Sequence, residues 1–262
     1  VAHADRTGSS QAAIAATESY VAAQLAGDSS GHDWWHVARV RALALRIAEA
    51  EEGDPTVVEL AALLHDVADW KVSGSETAGA EAAQQWLSGL DIDTEVRDHV
   101  VAIVAGVSFK GSAAVDVPLS VEGSCVRDAD RLDAMGAIGI ARTFAYGGHV
   151  GQPLHDPGVA PQRDLAGASY RASRSSTINH FHEKLLLLRD RMTTATGREL
   201  AEHRHQVMQD YLLEFHAEWD GRDSTETETA GVTGLESARQ AHPTDADLRP
   251  ACHRRPDTTG RG

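Results

Sequence analysis

His65 and Asp66 stand side by side in "LLHDVADWK", Leu63 to Lys71, directly after the aliphatic run "VVELAALL". An ionised carboxylate at the end of a buried helix is costly unless it is paired, hydrogen-bonded or bound to a cation. The doublet alone allows two readings: His65 bonds a carbonyl while Asp66 caps the next turn, or both side chains are ligands. Partners elsewhere in the chain favour the second. "GHDWWHVARVRALALR" supplies His36, with His32 one turn before it and Arg39 one turn after, and "VRDADRLDAMGAIGIAR" supplies Asp130. Two imidazoles and two carboxylates form a mixed nitrogen and oxygen set. Such a set suits an octahedral divalent ion (manganese, iron, cobalt or magnesium) with positions left for water and substrate.

Helices must bring these residues together. Apolar residues recur at three- and four-residue spacing from about Gln11 to Trp219, which predicts an all-α domain. A first helix is expected over 11–27, and a second over 33–53 with Asp33 as N-cap and Gly53 as stop. The third has Asp54 as N-cap and Pro55 at its first position, where a missing N–H costs nothing. Further helices are expected over 76–87, 94–107, 120–132, 133–146, 176–196 and 198–219. Two regions break the pattern. Gly and Pro punctuate 147–175, a stretch long enough to be a candidate lid. After Asp220 the chain is polar and rich in Gly, Pro, Thr and charge, as expected of a disordered tail. The expected organisation is an arm over 1–10, a single compact domain over 11–220, and a tail over 221–262.

The order His, His-Asp, Asp over about a hundred residues resembles the HD superfamily of metal-dependent phosphohydrolases, from roughly Ala12 to Arg142. The stretches "DADRLDAMGAIGIARTFAYGG" and "HFHEKLLLLRDRM" are similar to a bacterial branch of that superfamily to which nucleotide pyrophosphohydrolase activity is attributed. The resemblance implies an HD-domain helical bundle with additional C-terminal helices. It makes His36, His65, Asp66 and Asp130 the ligands of one divalent ion, with manganese first and magnesium, cobalt, iron or nickel as alternatives. Asp128 is the rival for the last position, but "ADRL" matches the family context of the ligand at Asp130, which leaves Asp128 as an exposed or capping carboxylate. Asp69, one helical turn beyond the doublet, takes the part of the acid that acts on the attacking water.

A phosphorylated substrate brings charge that one ion does not neutralise, and Arg39 and Lys71 are the first candidates to meet it. His32, Arg142, His180 and Lys184 are candidate contacts to the rest of the substrate. His99 is the only histidine between the doublet and Asp130, which favours one metal over the multi-metal branches. The implied activity is hydrolysis of (deoxy)nucleoside triphosphates with release of pyrophosphate. A nucleoside monophosphate phosphatase, a phosphodiesterase and a catalytically silent nucleotide-binding regulator are the alternatives.

Composition sets the remaining bounds. The formal net charge of −15 argues against stable nucleic-acid binding through the general surface. No run approaches the ~18 apolar residues of a membrane helix. Cys125 and Cys252 are too far apart in sequence and context for a disulfide framework. A cytoplasmic protein, monomeric or homodimeric, with a small nucleotide as ligand is the expectation.

Overall fold

The structure, a computed structural model, describes residues 2–26, 33–67, 77–107, 116–162 and 175–222. Among them are nine α-helices, one 3₁₀ helix and no strand. In chain order the helices are α1 (Ala2–Gln24), α2 (Trp34–Glu51), α3 (Pro55–Leu64), α4 (Ala78–Leu87), α5 (Thr94–Val107), α6 (Val121–Asp133) and α7 (Gly136–His149). They are followed by α8 (Thr177–Glu183), the 3₁₀ helix (Leu185–Arg191) and α9 (Ala195–Trp219). The expected all-α architecture is what the described residues adopt.

The residues Val1–His216 form one compact unit. Its centre is α3, where Val57, Val58 and every residue from Leu60 to Leu64 are buried. A helix apolar nearly all round belongs inside a core, and α1, α2, α5 and α6 pack against it. α2 and α6 also pack on each other, burying Val37, Val40, Ala44 and Ile47 of the first with Cys125, Val126, Ala129 and Leu132 of the second. The three helices that carry the candidate ligands therefore contact one another pairwise.

Each of these three begins at a side-chain cap, which satisfies N–H groups that no helical carbonyl reaches. Asp33 accepts from the backbone of His36 at 3.0 Å, Asp54 from Thr56 at 2.8 Å, and Ser120 from Gly123 at 3.2 Å. A ligand one turn past a fixed helix start inherits that fixed position.

Several boundaries differ from the periodicity. α1 begins at Ala2, so the expected arm over 1–10 is helical from its second residue, and it is anchored where Ser9 Oγ bonds the Asp91 carboxylate at 3.0 Å. α2 ends in a left-handed residue at Glu52 rather than at Gly53, with φ 59°. The Glu52 and Gly53 N–H groups both turn back to the Ala48 carbonyl, which offsets the strain. The expected loop over 147–175 starts later, because α7 runs on to His149. A Cβ on Gly147 would collide with Thr177 Oγ1, so the absence of a side chain lets the last turn of α7 lie against the start of α8. The described part of that loop is tied down: Thr177 and Ile178 donate to the Pro153 and Leu154 carbonyls at 2.9 and 3.1 Å.

The single helix expected over 176–196 is broken into α8, the 3₁₀ helix and the start of α9. Asp128 fixes the last of these breaks, at the start of α9. Expected as an exposed or capping carboxylate, it is a cap and fully buried. Its oxygens accept from the N–H groups of Thr193 and Thr194 at 2.9 and 2.7 Å and from both threonine hydroxyls. Those N–H groups would serve the preceding turn in a continuous helix. Glu51 adds a further cap by accepting from Thr196 N at 2.7 Å. A Cβ on Gly197 would run into the Asp128 carboxylate, so a glycine there permits the close approach.

The residues Ala217–Gly262 form the second unit. Its described part ends α9: Gly221, at φ 63°, and Arg222 donate to the Glu218 and Ala217 carbonyls. The expected tail lies outside the described residues from 223 onward.

Replacing Asp128 by alanine removes the acceptor of the Thr193 and Thr194 N–H groups and hydroxyls, of which the Thr194 pair is buried. The variant should lose about 2–3 kcal/mol of stability while retaining metal binding. Chemical denaturation of the two proteins, beside a metal titration, measures both effects.

Candidate metal centre

His36 lies in the first turn of α2, His65 is the cap that closes α3, and Asp66 follows in the turn. Asp130 and Asp133 sit three residues apart on α6, and so on one face of it. The His36 and His65 Nε2 atoms are 3.3 Å apart. Asp66 Oδ2 stands 3.4 Å from the first and 3.8 Å from the second. Asp130 Oδ1 stands at 3.5 and 3.8 Å. Donors held about 2.1 Å from one ion at right angles lie about 3 Å apart, and opposite donors about 4.2 Å apart. The observed spacings fall inside that range, and His36, His65 and Asp66 are positioned to ligate a divalent ion.

The rings are oriented from behind. His36 Nδ1 is 2.8 Å from Asp133 Oδ2, and His65 Nδ1 is 2.8 Å from the Ala62 carbonyl. A carboxylate and a carbonyl only accept, so both Nδ1 atoms carry the proton in these bonds and both Nε2 atoms face the centre. The two sequence readings of His65 are thus compatible: one nitrogen bonds a carbonyl, the other is a ligand atom. Closing α3 at this point also turns its last carbonyls, the negative end of the helix dipole, toward the cation side.

Burial is uneven. The His36 and His65 side chains are 1% and 4% exposed, whereas Asp66 and Asp130 are 15% and 31% exposed. The imidazole side is closed and the carboxylate side opens to solvent.

Asp133, which sequence reasoning passed over, is the most connected residue here. Nearly fully buried, it accepts from His36 Nδ1, from Arg39 Nε at 2.7 Å and Nη2 at 3.0 Å, and from Arg142 Nη1 at 2.8 Å. Burial alone would raise its pKa, but His36 and the two guanidiniums hold it well below the usual carboxylate range. The available signal was spacing: "DADRLD" repeats an acid one turn after Asp130. For His36, burial opposes the charged ring. The hydrogen bond to Asp133, the bond to Asp66 and the charge of Asp130 outweigh it, and the pKa is raised to about 9.

The structure thus brings His36, His65, Asp66, Asp130, Arg39 and Arg142 into one cluster. His180 lies on α8 and Lys184 caps it, and α8 packs on α7, the helix that carries Arg142. His32, Asp69 and Lys71 lie outside the described residues. His99 bonds Ser120 Oγ at 2.8 Å and lies 3.6 Å from Glu122. That is the opposite end of α6 from Asp130, about 12–15 Å away at 1.5 Å per residue.

The HD domain family model matches residues 34–135, from the start of α2 to just past Asp133. YpgQ of Bacillus subtilis (strain 168) is 39% identical over 207 residues, covering 78% of this chain and 93% of YpgQ. An HD-superfamily hydrolase from Bacillus thuringiensis has a solved structure 42% identical, with a TM-score of 0.64, covering 80% of this chain and 98% of that one. A Lactobacillus plantarum protein superposes with a TM-score of 0.72 at 38% identity, over 80% of this chain and 98% of its own. The structure of YpgQ in complex with ADP superposes with a TM-score of 0.62 at 34% identity, over 80% of this chain and all of YpgQ.

A ring with its pKa raised to about 9 is protonated at neutral pH and must lose that proton to ligate. Binding of manganese at pH 7.5 should therefore release about one proton per ion. The release should fade as the pH passes the raised value. Calorimetric titration of metal-stripped protein in two buffers of different ionisation enthalpy reads this directly; identical heats in both would contradict it.

Proposed function

The chain belongs to the HD-domain superfamily of metal-dependent phosphohydrolases, and on that footing we propose that it cuts (deoxy)nucleoside triphosphates to the monophosphate and pyrophosphate. The observation that carries this reading is the convergence of His36, His65, Asp66 and Asp130 beside two arginines anchored on Asp133. The ADP held by YpgQ supports a nucleotide as the ligand class.

We assign the fourth ligand to Asp130 and the resident ion to manganese, as a single ion. When bound, a divalent ion supplies polarisation of a phosphoryl oxygen and a water of lowered pKa. The chain's own residues do the rest. His36 and His65 offer neutral Nε2 atoms, Asp66 and Asp130 offer charge, and the open carboxylate side is where substrate arrives. Asp69, three residues past Asp66, takes the proton of the attacking water. Arg39 and Arg142 offset the charge that grows on the departing pyrophosphate, with Lys71, His32, His180 and Lys184 as further contacts to phosphate and nucleoside.

Charge balance supports an anionic substrate. Three carboxylates against two guanidiniums and a protonated His36 leave the bare site about neutral, and a divalent ion that displaces that proton turns it about one unit positive. Substrate binding should therefore depend on metal even before chemistry. No helix among the described residues is long and apolar enough to cross a membrane, and we place the reaction in the cytoplasm.

The test is a nucleotide panel with manganese and identified products, run beside Asp66→Ala and Asp69→Ala. Pyrophosphate is the expected product. Asp66→Ala should lose metal and turnover together, whereas Asp69→Ala should keep metal and lose about 10²–10⁴ in kcat. Orthophosphate would move the assignment to a monophosphatase, and a linear dinucleotide or ring-opened product to a phosphodiesterase. Tight nucleotide binding without hydrolysis would make the protein a regulator.

A further inference from the structure

Beyond the ligands, one carboxylate joins two functions that the chemistry above treats separately. Asp133 receives four N–H donors: His36 Nδ1, Arg39 Nη2 and Arg142 Nη1 on Oδ2, and Arg39 Nε on Oδ1. Each carboxylate oxygen offers about two acceptor positions, so Oδ2, with three donors, is fully used. It is 3% exposed, which leaves little room for water to replace a lost partner. The Arg39 fork is bidentate, a geometry that fixes the guanidinium plane and leaves Nη1 outside the pair with Asp133.

We propose that Asp133 is a positioning residue that fixes the ligating face of His36 and the two phosphate-facing guanidiniums to a single carboxylate, so that one side chain sets both metal retention and anion binding. The proposal rests on the metal-dependent reading of the site and deepens it. A carboxylate serving structure alone would satisfy the arginines and leave the imidazole to another acceptor. Here the same oxygen that takes Arg142 and half of Arg39 also takes the His36 proton. Asparagine cannot reproduce this, because its amide nitrogen would face donors on one side whichever way it is turned. Loss of the charge also removes the counter-ion that Arg39 and Arg142 share, which weakens the hold on both guanidiniums.

Manganese binding is measured by electron paramagnetic resonance for the wild type, Asp133→Asn and Arg39→Gln, with inorganic pyrophosphate as the anion probe on each loaded protein. Asp133→Asn should bind manganese about 10–100-fold more weakly and also lose pyrophosphate affinity. Arg39→Gln should keep the wild-type manganese affinity and lose only pyrophosphate affinity. A folded Asp133→Asn with wild-type manganese binding overturns the proposal and leaves the metal-dependent reading standing. A wild type that binds no manganese or other divalent ion overturns both. A second measurement needs no variant: nitrogen-15 spectra of the zinc-loaded wild type should show the His36 proton on Nδ1 with Nε2 unprotonated, and the reverse tautomer sinks the idea.

Discussion

Two imidazole nitrogens 3.3 Å apart repel when each presents a lone pair and attract once one of them carries a proton. Carboxylate oxygens at 3.4–3.8 Å add negative charge to the same small space. Only positive charge between them makes such a grouping favourable, whether a proton shared out among the donors or a divalent cation. The unusually basic His36 expresses the first solution, and the spacing of the donors fits the second. Everything around the cluster is arranged to keep the four donors facing inward despite their mutual repulsion.

The means are ordinary ones used together. Three capped helix starts set the axial position of α2, α3 and α6, and the aliphatic faces of these helices, packed pairwise, set their separation. Backing acceptors turn the rings. The apolar run from Val57 to Leu64 is therefore more than filling: it places the end of α3, and with it His65 and Asp66, at a fixed depth. A ligand at a helix terminus has fewer neighbours to clash with than one in mid-helix, and its side chain meets the dipole end that favours a cation.

Most of this was legible in the sequence, because ligand types, apolar periodicity and capping residues are local signals. His36, His65, Asp66 and Asp130 were recoverable from residue chemistry together with motif context. The starts of α2 and α3 were recoverable from Asp33, Asp54 and Pro55. What escaped depends on contacts distant in sequence. Asp133 reads as one more acid on an amphipathic helix until His36 and Arg39, more than ninety residues away, are known to meet it. The break before α9 escaped for the same reason. Nothing in "LLLLRDRMTTATG" marks a new helix start, and Asp128 supplies it by taking the Thr193 and Thr194 N–H groups that a continuous helix would use. Gly147 looked like punctuation, yet it lies inside a helix because a neighbouring segment occupies the space a side chain would fill.

The closed imidazole side and the open carboxylate side of the cluster have a kinetic meaning. The apolar core lies behind the histidines, whereas Asp66 and Asp130 border solvent, so the carboxylates are the side of the donor cluster that an ion from solution meets first. The core that supports the donors is apolar and built without them, unlike that of small domains whose metal nucleates the fold. An exchangeable site with mixed nitrogen and oxygen donors follows the metals available around it more than any strict selectivity of its own. The ion carried by this chain is thus a property of the cell as much as of the sequence, and a purified sample reports the metal it last met.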